Sequence, residues 1–283
     1  MKHIFKRVVV VLNEIENIDN LLEKAVTFST QHQTTLEVLF VHEEPLFQLP
    51  DYFLSDEQIS KGKIDKKRIK KSIQEKLNAL NVEKTVSILV LINDTLDQVI
   101  EYGKDNRDIL FITAYHESLN SKLLHKTPYS FWIIKNKVKS YSKILLPIDL
   151  NEKSVEVIKA TQHIFPTAQL SIVHDYRFTL DTSLMEDGHL KIAPIVSNID
   201  IELNKEEKKR GKVLFESYKS DFNITGDFLE ENKGLEEDLA EYIEKSYAEL
   251  IVMYPEEIEL FLSSSLITKL LSRIPKDFLV LNI

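Results

Sequence analysis

Runs of apolar residues alternate with segments of helical periodicity along the chain. Each run is short, rich in Val, Ile and Leu, and bounded by polar residues, which is typical of strands buried on both faces of a parallel sheet. Such runs predict strands at 7–12, 36–41, 85–92, 109–113, 130–135, 143–148, 169–174, 223–229, 249–253 and 277–282. The order of strands and helices is the same in the first and second half, so the sequence predicts two copies of one α/β unit.

The segments between the strands carry apolar residues on one helical face. In the first of them Leu21, Leu22 and Ala25 share a face, and Asp19 or Asn20 is the expected N-cap. Helices that connect strands in this order predict an α/β fold with two tandem open parallel five-stranded sheets and helices on both faces.

The length of 283 residues suits two domains that can each bury a core. We expect domain 1 at residues 1–138 and domain 2 at 141–283, with a polar linker at about 136–142. Residues 178–199 lack periodicity and precede a helix predicted at 200–219. Excursions of this length usually cover a site or are disordered.

Composition narrows the class of protein. The chain has no cysteine, which suits a reducing cytoplasm and removes thiolate metal sites and nucleophiles. No uncharged stretch approaches the roughly 20 residues of a membrane span, so we expect a cytoplasmic protein without a membrane partner. The net charge is −9, with the acidic excess in the second half, and the one strong basic run (61–71) fits the solvated face of a helix. We therefore expect no nucleic-acid partner.

Several segments together resemble the universal stress protein family. The second half opens on a strand that ends in Pro147-Ile148-Asp149, and both halves close on a helix, a proline and an apolar strand. In the first half, residues 108–116, 128–132 and 54–57 resemble the tandem E-type subgroup. The resemblance implies the fold described above and a role in the stress response.

The chain departs from this family at the loop after the fourth strand. Nucleotide-binding members carry a glycine-rich loop there, whose backbone N–H groups can approach phosphate at a helix N-terminus. The second half instead has Tyr254-Pro255-Glu256-Glu257, and only Ser264 and Ser265 match the end of the motif. In the first half the loop is reduced to residues 115–118, so both loops are expected to be degenerate.

Any surviving nucleotide site would use Asp149, Ser264 and Ser265. Asp149 aligns with the carboxylate that meets the nucleoside in binding members, whereas Asn13 stands at this place in the first half. Alternatively, Asp149 and Ser154 organise the turn from strand to helix. No cofactor is expected, and ATP is the alternative.

Other candidate chemistry is weak. His42 and His174 end matching strands, which the duplication explains without a metal, and His116 and His125 lack the spacing of a helical ligand pair. The sequence therefore predicts no metal site and no catalytic residues.

The leading hypothesis is a non-enzymatic universal stress protein that binds another protein or a small apolar ligand. Two alternatives stay open: an ATP- or AMP-binding sensor or weak ATPase, and an enzyme of the wider nucleotide-binding α/β group. Strands 130–135 and 277–282 are apolar edges, so we expect the two halves to pair as an intramolecular pseudo-dimer, with a further homodimer as an option. We also expect the apolar residues of Tyr254–Leu262 to fill the cleft beside Asp149.

Overall fold

A computed structural model describes residues 4–16, 18–43, 64–82, 85–105, 108–137, 140–177, 198–230, 233–255 and 262–283 of the chain. For residues 198–202 and 262–265 the description covers the backbone alone. Most of the predicted excursion at 178–199 and most of the segment Tyr254–Leu262 lie outside these residues.

The described residues form an α/β fold with mostly parallel strands. The strands are β1 (Arg7–Leu12), β2 (Thr35–His42), β3 (Ser87–Ile92), β4 (Ile109–Ala114), β5 (Ser130–Ile134), β6 (Lys143–Pro147), β7 (Gln169–Tyr176), β8 (Thr225–Glu230), β9 (Leu250–Met253) and β10 (Asp277–Val280). All the strands expected from the sequence are present, and each predicted bound lies within two residues of the observed one.

Helices connect these strands as the periodicity predicted. They are α1 (Asp19–His32), α2 (Lys66–Ala79), α3 (Thr95–Gly103), α4 (Glu117–Lys126), α5 (Glu152–Ile164), α6 (Asn198–Phe222), α7 (Leu235–Lys245) and α8 (Leu262–Arg273). Within the part of the chain that the structure describes, no helix is both long enough and apolar enough to cross a membrane.

The chain divides into two compact units. Unit 1 comprises Met1–Tyr141 and Val252–Ile283, and unit 2 comprises Ser142–Ile251. Unit 1 is thus made of two separate stretches of sequence, because it includes α8 and β10. The domains predicted at 1–138 and 141–283 describe a repeat in the sequence and stay a prediction.

In unit 1 the sheet order is β3-β2-β1-β4-β5-β10. The first five strands are parallel, as predicted. The last strand, β10, pairs antiparallel with β5, with Leu279 opposite Trp132. In unit 2 the parallel strands β6, β7 and β8 lie side by side, and Leu250 and Ile251 of β9 pair with β6.

The central strands are apolar because both of their faces are covered. Val8, Val9 and Val10 of β1 are fully buried, as are Leu110 and Phe111 of β4. In such a strand the apolar residues run continuously and do not alternate with polar ones.

The predicted N-cap of α1 was wrong. Ile18 occupies the cap position and makes no side-chain cap hydrogen bond. It is buried, and its carbonyl accepts the N–H of Leu22 at 2.9 Å. The polar candidates contact other elements: Asp19 pairs with Lys76 of α2, and Asn20 Nδ2 donates to the carbonyl of Asn136 at 2.9 Å.

A buried polar cluster lies in unit 1, built from Lys24 of α1, Tyr141 and Asp277 of β10. The Lys24 ammonium donates to the Tyr141 hydroxyl at 2.8 Å, and that hydroxyl donates to Asp277 Oδ2. Asp277 Oδ1 accepts the backbone N–H groups of Lys135 and Asn136, each at 2.8 Å. A buried carboxylate needs such donors to offset its lost hydration.

Lys135 joins the end of β5 to the end of α8. Its ammonium donates to the carbonyls of Leu271 and Ile274, the latter at 2.8 Å. It also lies 3.9 Å from the centre of the Tyr115 ring. A cation at the last carbonyls of a helix is favourable, since these carry the partial negative charge of the helix dipole.

Candidate functional site

The most developed candidate site is a cleft in unit 1, at the carboxyl ends of β1 and β4. Its volume is about 450 Å³. The chain leaves β1 toward β2 on one side, while β4 lies on the other side of β1. Ligands of open parallel sheets bind at such a point, outside the carboxyl ends of the strands. We call it the β1–β4 cleft.

Apolar and acidic side chains both line the β1–β4 cleft. Its apolar lining is Val11, Leu12, Ile18, Leu21, Leu96, Ala114 and Leu119. Its carboxylates are Glu14, Glu16, Glu43 and Asp94, against a single lysine, Lys122. Asn13, Thr113, Tyr115, His116 and Ser118 complete the lining. The lining is therefore acidic in balance.

The start of α3 forms one wall. Asn13 Nδ2 donates to the hydroxyl of Thr95 at 2.6 Å, which ties the end of β1 to the first turn of α3. Glu43 Oε1 accepts the N–H of Thr95 at 3.4 Å, and Asp94 Oδ1 accepts that of Asp97 at 3.2 Å. These carboxylates satisfy N–H groups that a helix start leaves open, and their negative charge suits the helix dipole.

The start of α4 forms the opposite wall. Only Tyr115 and His116 separate the end of β4 from the first residue of α4. His116 is the N-cap of α4, and its Nδ1 accepts the N–H of Leu119 at 3.5 Å. Asn120, which is fully buried, accepts the N–H of His116. The short connection is thus folded tightly onto the helix.

The phenol of Tyr115 stays protonated near neutral pH. Burial, and to a lesser extent Glu117, raises the pKa of Tyr115. A neutral phenol can both donate and accept a hydrogen bond.

The residues predicted for nucleotide binding belong to different units, and the site stays a prediction. Asp149 lies two residues after the end of β6, in unit 2, and is exposed. Ser264 and Ser265 lie in the first turn of α8, where only the backbone is described. The prediction that the apolar residues of Tyr254–Leu262 fill the cleft beside Asp149 concerns residues that lie almost entirely outside the described ones.

Ser154 organises the turn after β6, as the alternative interpretation expected. Its N–H donates to Asn151 Oδ1 at 2.9 Å, and its hydroxyl accepts the N–H of Asn151 at 3.4 Å, which completes a capping box. Leu150 adopts a left-handed conformation (φ 57°) just before the cap. Asp149 therefore sits at the start of a sharply turning connection.

The carboxyl edge of unit 2 is held by structural contacts. The His174 ring shares a hydrogen bond with the carbonyl of Ile148 at 2.7 Å, and burial lowers the pKa of His174. Arg177 pairs with Asp175 at 2.5 Å and with Asp238 at 2.7 Å, which joins the end of β7 to α7. These contacts favour the structural interpretation of His174.

The histidines and the basic run considered in the sequence analysis have contacts that indicate structural roles among the described residues. Across the described ranges, no group of three histidines and carboxylates is arranged to hold a metal ion. The Nε2 atom of His125 lies 3.3 Å from the hydroxyl of Thr268. The basic run continues into α2, where Ile73 and Leu77 are buried, so its lysines form the solvated face of that helix.

Sequence reasoning missed the first-half cleft because it followed the phosphate-loop motif. A signal was present, because three of the predicted strands (7–12, 36–41 and 85–92) are each followed directly by a polar residue and an acid. These pairs are Asn13-Glu14, His42-Glu43 and Asn93-Asp94. Because the carboxyl ends of parallel strands meet at one edge of a sheet, this pattern could have predicted an acidic cleft.

Comparison with solved structures gives the class of fold. A universal stress protein from Archaeoglobus fulgidus DSM 4304 is similar, with a TM-score of 0.62 and 14% identity over 98% of this chain and 97% of that one. A functionally unknown protein from Pseudomonas aeruginosa PAO1 has a TM-score of 0.64 and 14% identity, over 98% and 92% of the two chains. A protein from Pseudomonas aeruginosa UCBPP-PA14, assigned provisionally as a universal stress protein, has a TM-score of 0.64 and 16% identity, over 98% and 93%.

These likenesses establish a universal stress protein fold, as the sequence resemblance predicted. At 14–16% identity they concern the fold alone. No protein-family model and no curated protein matches the sequence.

Proposed function

We propose that this chain is a non-enzymatic stress-response protein that acts by binding a small ligand in the β1–β4 cleft. The observation that carries the proposal is an apolar cleft rimmed by Glu14, Glu16, Glu43 and Asp94 at the carboxyl edge of a parallel sheet. The stress role rests on the likeness of fold. The binding role rests on the cleft.

The lining supports a ligand that is uncharged or cationic, with an apolar body. Residues such as Leu12, Leu21 and Leu96 offer contact to apolar groups, and the carboxylates favour a positive end. A phosphate would meet repulsion of about 1 kcal/mol from each carboxylate a few ångströms away in a solvated cleft. The two-residue connection between β4 and α4 also leaves no loop to cradle phosphates.

Two polar side chains of the cleft make structural hydrogen bonds. Asn13 donates to the hydroxyl of Thr95, and the His116 ring accepts from the backbone of α4. Such contacts hold the walls in place and support a binding role. A nucleotide sensor that uses Asp149, Ser264 and Ser265 remains the alternative, and its test is given below.

Two further parts of the proposal concern partners and location. We propose that the two predicted halves of the sequence, 1–138 and 141–283, associate through β5 and β10. The antiparallel pairing of these strands within unit 1 supports a pseudo-dimer. A cytoplasmic location and a protein partner stay predictions from composition and fold.

Three aromatic probes that differ mainly in charge test the cleft. Tyramine, para-ethylphenol and para-hydroxyphenylacetate share a ring and carry a positive, neutral or negative end. Titration calorimetry should give affinities that fall in that order. Glu14→Gln with Glu16→Gln should weaken tyramine more than para-ethylphenol, whereas Glu23→Gln on the exposed face of α1 is the matched control.

A second variant blocks the cleft itself. Ala114→Phe places a large side chain in the lining and should abolish binding of all the probes. Equal or tighter binding of the acid probe would overturn the proposal, as would binding that survives Ala114→Phe.

A further inference from the structure

A second depression in unit 1 lies at the amino edge of the sheet, away from the β1–β4 cleft. It has a volume of about 620 Å³ and lies where α1 ends and β2 begins, beside the end of α2. We call it the β2–β3 groove. Its lining is Val26, Ser29, Thr30, Gln33, Thr34, Thr35, Leu36, Leu80, Asn81, Val82, Thr85 and Val86.

The composition of this lining is unusual for a protein rich in charge. It contains hydroxyl, amide and aliphatic side chains and, among the described residues, no charged one. Charged residues make up 29% of the whole chain, so a described lining without charged side chains stands out. Glu83 and Lys84, between Val82 and Thr85 in the sequence, lie outside the described residues. A neutral lining with many hydroxyl groups suits a ligand that is itself neutral and rich in hydroxyl groups.

The backbone shapes the mouth of the groove. Gln33 and Asn81 adopt left-handed conformations, with φ of 53° and 54°, at the ends of α1 and α2. Left-handed residues are uncommon outside glycine, and here they turn the chain while contributing an amide side chain to the lining. Both helices direct their carboxyl ends here, where partial negative charge favours hydrogen-bond donors and disfavours anions.

One buried atom points to a missing partner. The hydroxyl of Thr34 is buried, with the residue 4% exposed, and it has no hydrogen-bond partner within the described part of the chain. Its own N–H donates to the carbonyl of Ser29 at 3.0 Å, so the backbone of Thr34 is fixed. A buried hydroxyl without a partner opposes folding, which makes a ligand or an ordered water its natural partner.

Nearby Ser29 can accept a hydrogen bond from the same occupant. Its hydroxyl donates to the carbonyl of Val26 at 3.0 Å, which leaves the oxygen lone pairs available. Aliphatic residues such as Leu36 and Val86 can then contact the carbon atoms of a ligand.

We propose that the β2–β3 groove binds an uncharged polyhydroxylated small molecule of the size of a monosaccharide or cyclic polyol. The proposal does not depend on the β1–β4 cleft. Thr34 supplies a hydrogen bond to the ligand at the groove floor, and the two helix ends exclude anions.

The test is amide NMR of the full chain titrated with myo-inositol and glucose, with gluconate as the charged counterpart. We expect saturable shifts confined to residues 26–36, 80–82, 85 and 86 with the neutral compounds, and none with gluconate. Thr34→Val keeps the shape and removes the hydroxyl, and it should weaken binding about tenfold, the value of one hydrogen bond. Thr225→Val, at the start of β8, is the matched control.

The melting temperature and the ligand affinity of Thr34→Val together distinguish a structural role of Thr34 from a binding role. If the hydroxyl lacks a partner without ligand, Thr34→Val raises the melting temperature while it weakens binding. Thr30→Phe, at an exposed position of the same lining, should block the groove. This variant tests the proposal if the valine variant does not fold.

Several results would overturn the proposal. These are no saturable shift at ligand concentrations of about 100 mM, equal affinity in wild type and Thr34→Val, shifts that map to the β1–β4 cleft, or equal binding of gluconate. The first of them would mean that the groove holds water alone.

Discussion

The ammonium of Lys24 lies 3.7 Å from a carboxylate oxygen of Asp277, and both side chains are almost completely buried. Their environments differ. Asp277 accepts three hydrogen bonds, from the Tyr141 hydroxyl and from two backbone N–H groups. Lys24 is stabilised by the Tyr141 oxygen, by Asp277, and by the ring faces of Tyr141 and Trp132 at 4.2 and 5.5 Å.

This asymmetry predicts unequal effects of removing each partner. Asp277→Ala leaves a buried ammonium and two backbone donors without their acceptor, so it should lower the free energy of unfolding by about 3–5 kcal/mol. Lys24→Met leaves a carboxylate that keeps three donors, and the loss should be about 1–3 kcal/mol. Urea unfolding measures both.

The exposed pair Lys6 and Asp108 provides the control, since Lys6→Met should change stability by about 0.5 kcal/mol or less. A Lys24→Met variant that is less stable than Asp277→Ala would show that Lys24 dominates the cluster.

Gly226 is predicted to tolerate no side chain. A Cβ at this position would lie 2.1 Å from the carbonyl oxygen of Ile172 on the neighbouring strand. Because that oxygen belongs to the backbone of β7, the strands must separate, and Gly226→Ala should cost about 3 kcal/mol. Gly234→Ala meets nothing within 4 Å and should leave the melting temperature nearly unchanged. Equal stability of both variants would contradict this account.

Lys135 should make stability depend on pH in the alkaline range. Burial lowers the pKa of Lys135 from 10.5 to about 8. Between these values the unfolded chain binds more protons at this residue than the folded one, so its contribution to stability rises with pH. The free energy of unfolding of wild type relative to Lys135→Met should therefore increase from pH 7 to 10, in urea titrations at each pH. The exposed Lys126→Met gives the baseline, and a constant or falling difference would refute the prediction.

Adenine nucleotides are expected to leave stability unchanged. A ligand present at 100 times its dissociation constant would stabilise the native state by about 2.7 kcal/mol, which thermal unfolding detects easily. ATP, ADP and AMP at millimolar concentration should give no shift. An upward shift that Asp149→Asn removes would instead support the alternative nucleotide sensor.

Separation of the two sequence halves should cause insolubility. Residues 1–138 end with β5, whose edge is paired with β10 in the whole chain. Without that partner an apolar edge is open to pairing with other chains. At least one of the fragments 1–138 and 141–283 should precipitate, and coexpression should recover soluble protein. Two soluble monomers that do not associate would exclude the proposed pseudo-dimer.

The strand positions were predictable because a strand buried on both faces is a continuous apolar run in the sequence. Residues 7–12 and 109–113 are such cases. Contacts between distant residues were not predictable in the same way. Asp19 was a reasonable N-cap by its type, but its carboxylate pairs with Lys76, which is distant in sequence. To predict the β1–β4 cleft, one has to know that acids from three separate strand ends lie at the same edge of the sheet.

The β2–β3 groove could not have been found from the sequence. Its marker is a threonine hydroxyl without a partner, and threonine is common in turns for other reasons. Whether a hydroxyl is satisfied depends on the packing of α1, α2 and β2 around it, which no local pattern records.

Unit 1 consists of two stretches of sequence, so its two parts are synthesised at different times. Lys135 and its acceptor Asp277 are 142 residues apart, and ribosomes add about 5–20 residues per second. The first stretch of unit 1 therefore emerges on the order of ten seconds before the strand that completes its sheet. During that interval β5 lacks its partner strand β10, and Lys24 lacks the carboxylate of Asp277. The edge of β5 is thus open to pairing with other chains until β10 has been synthesised.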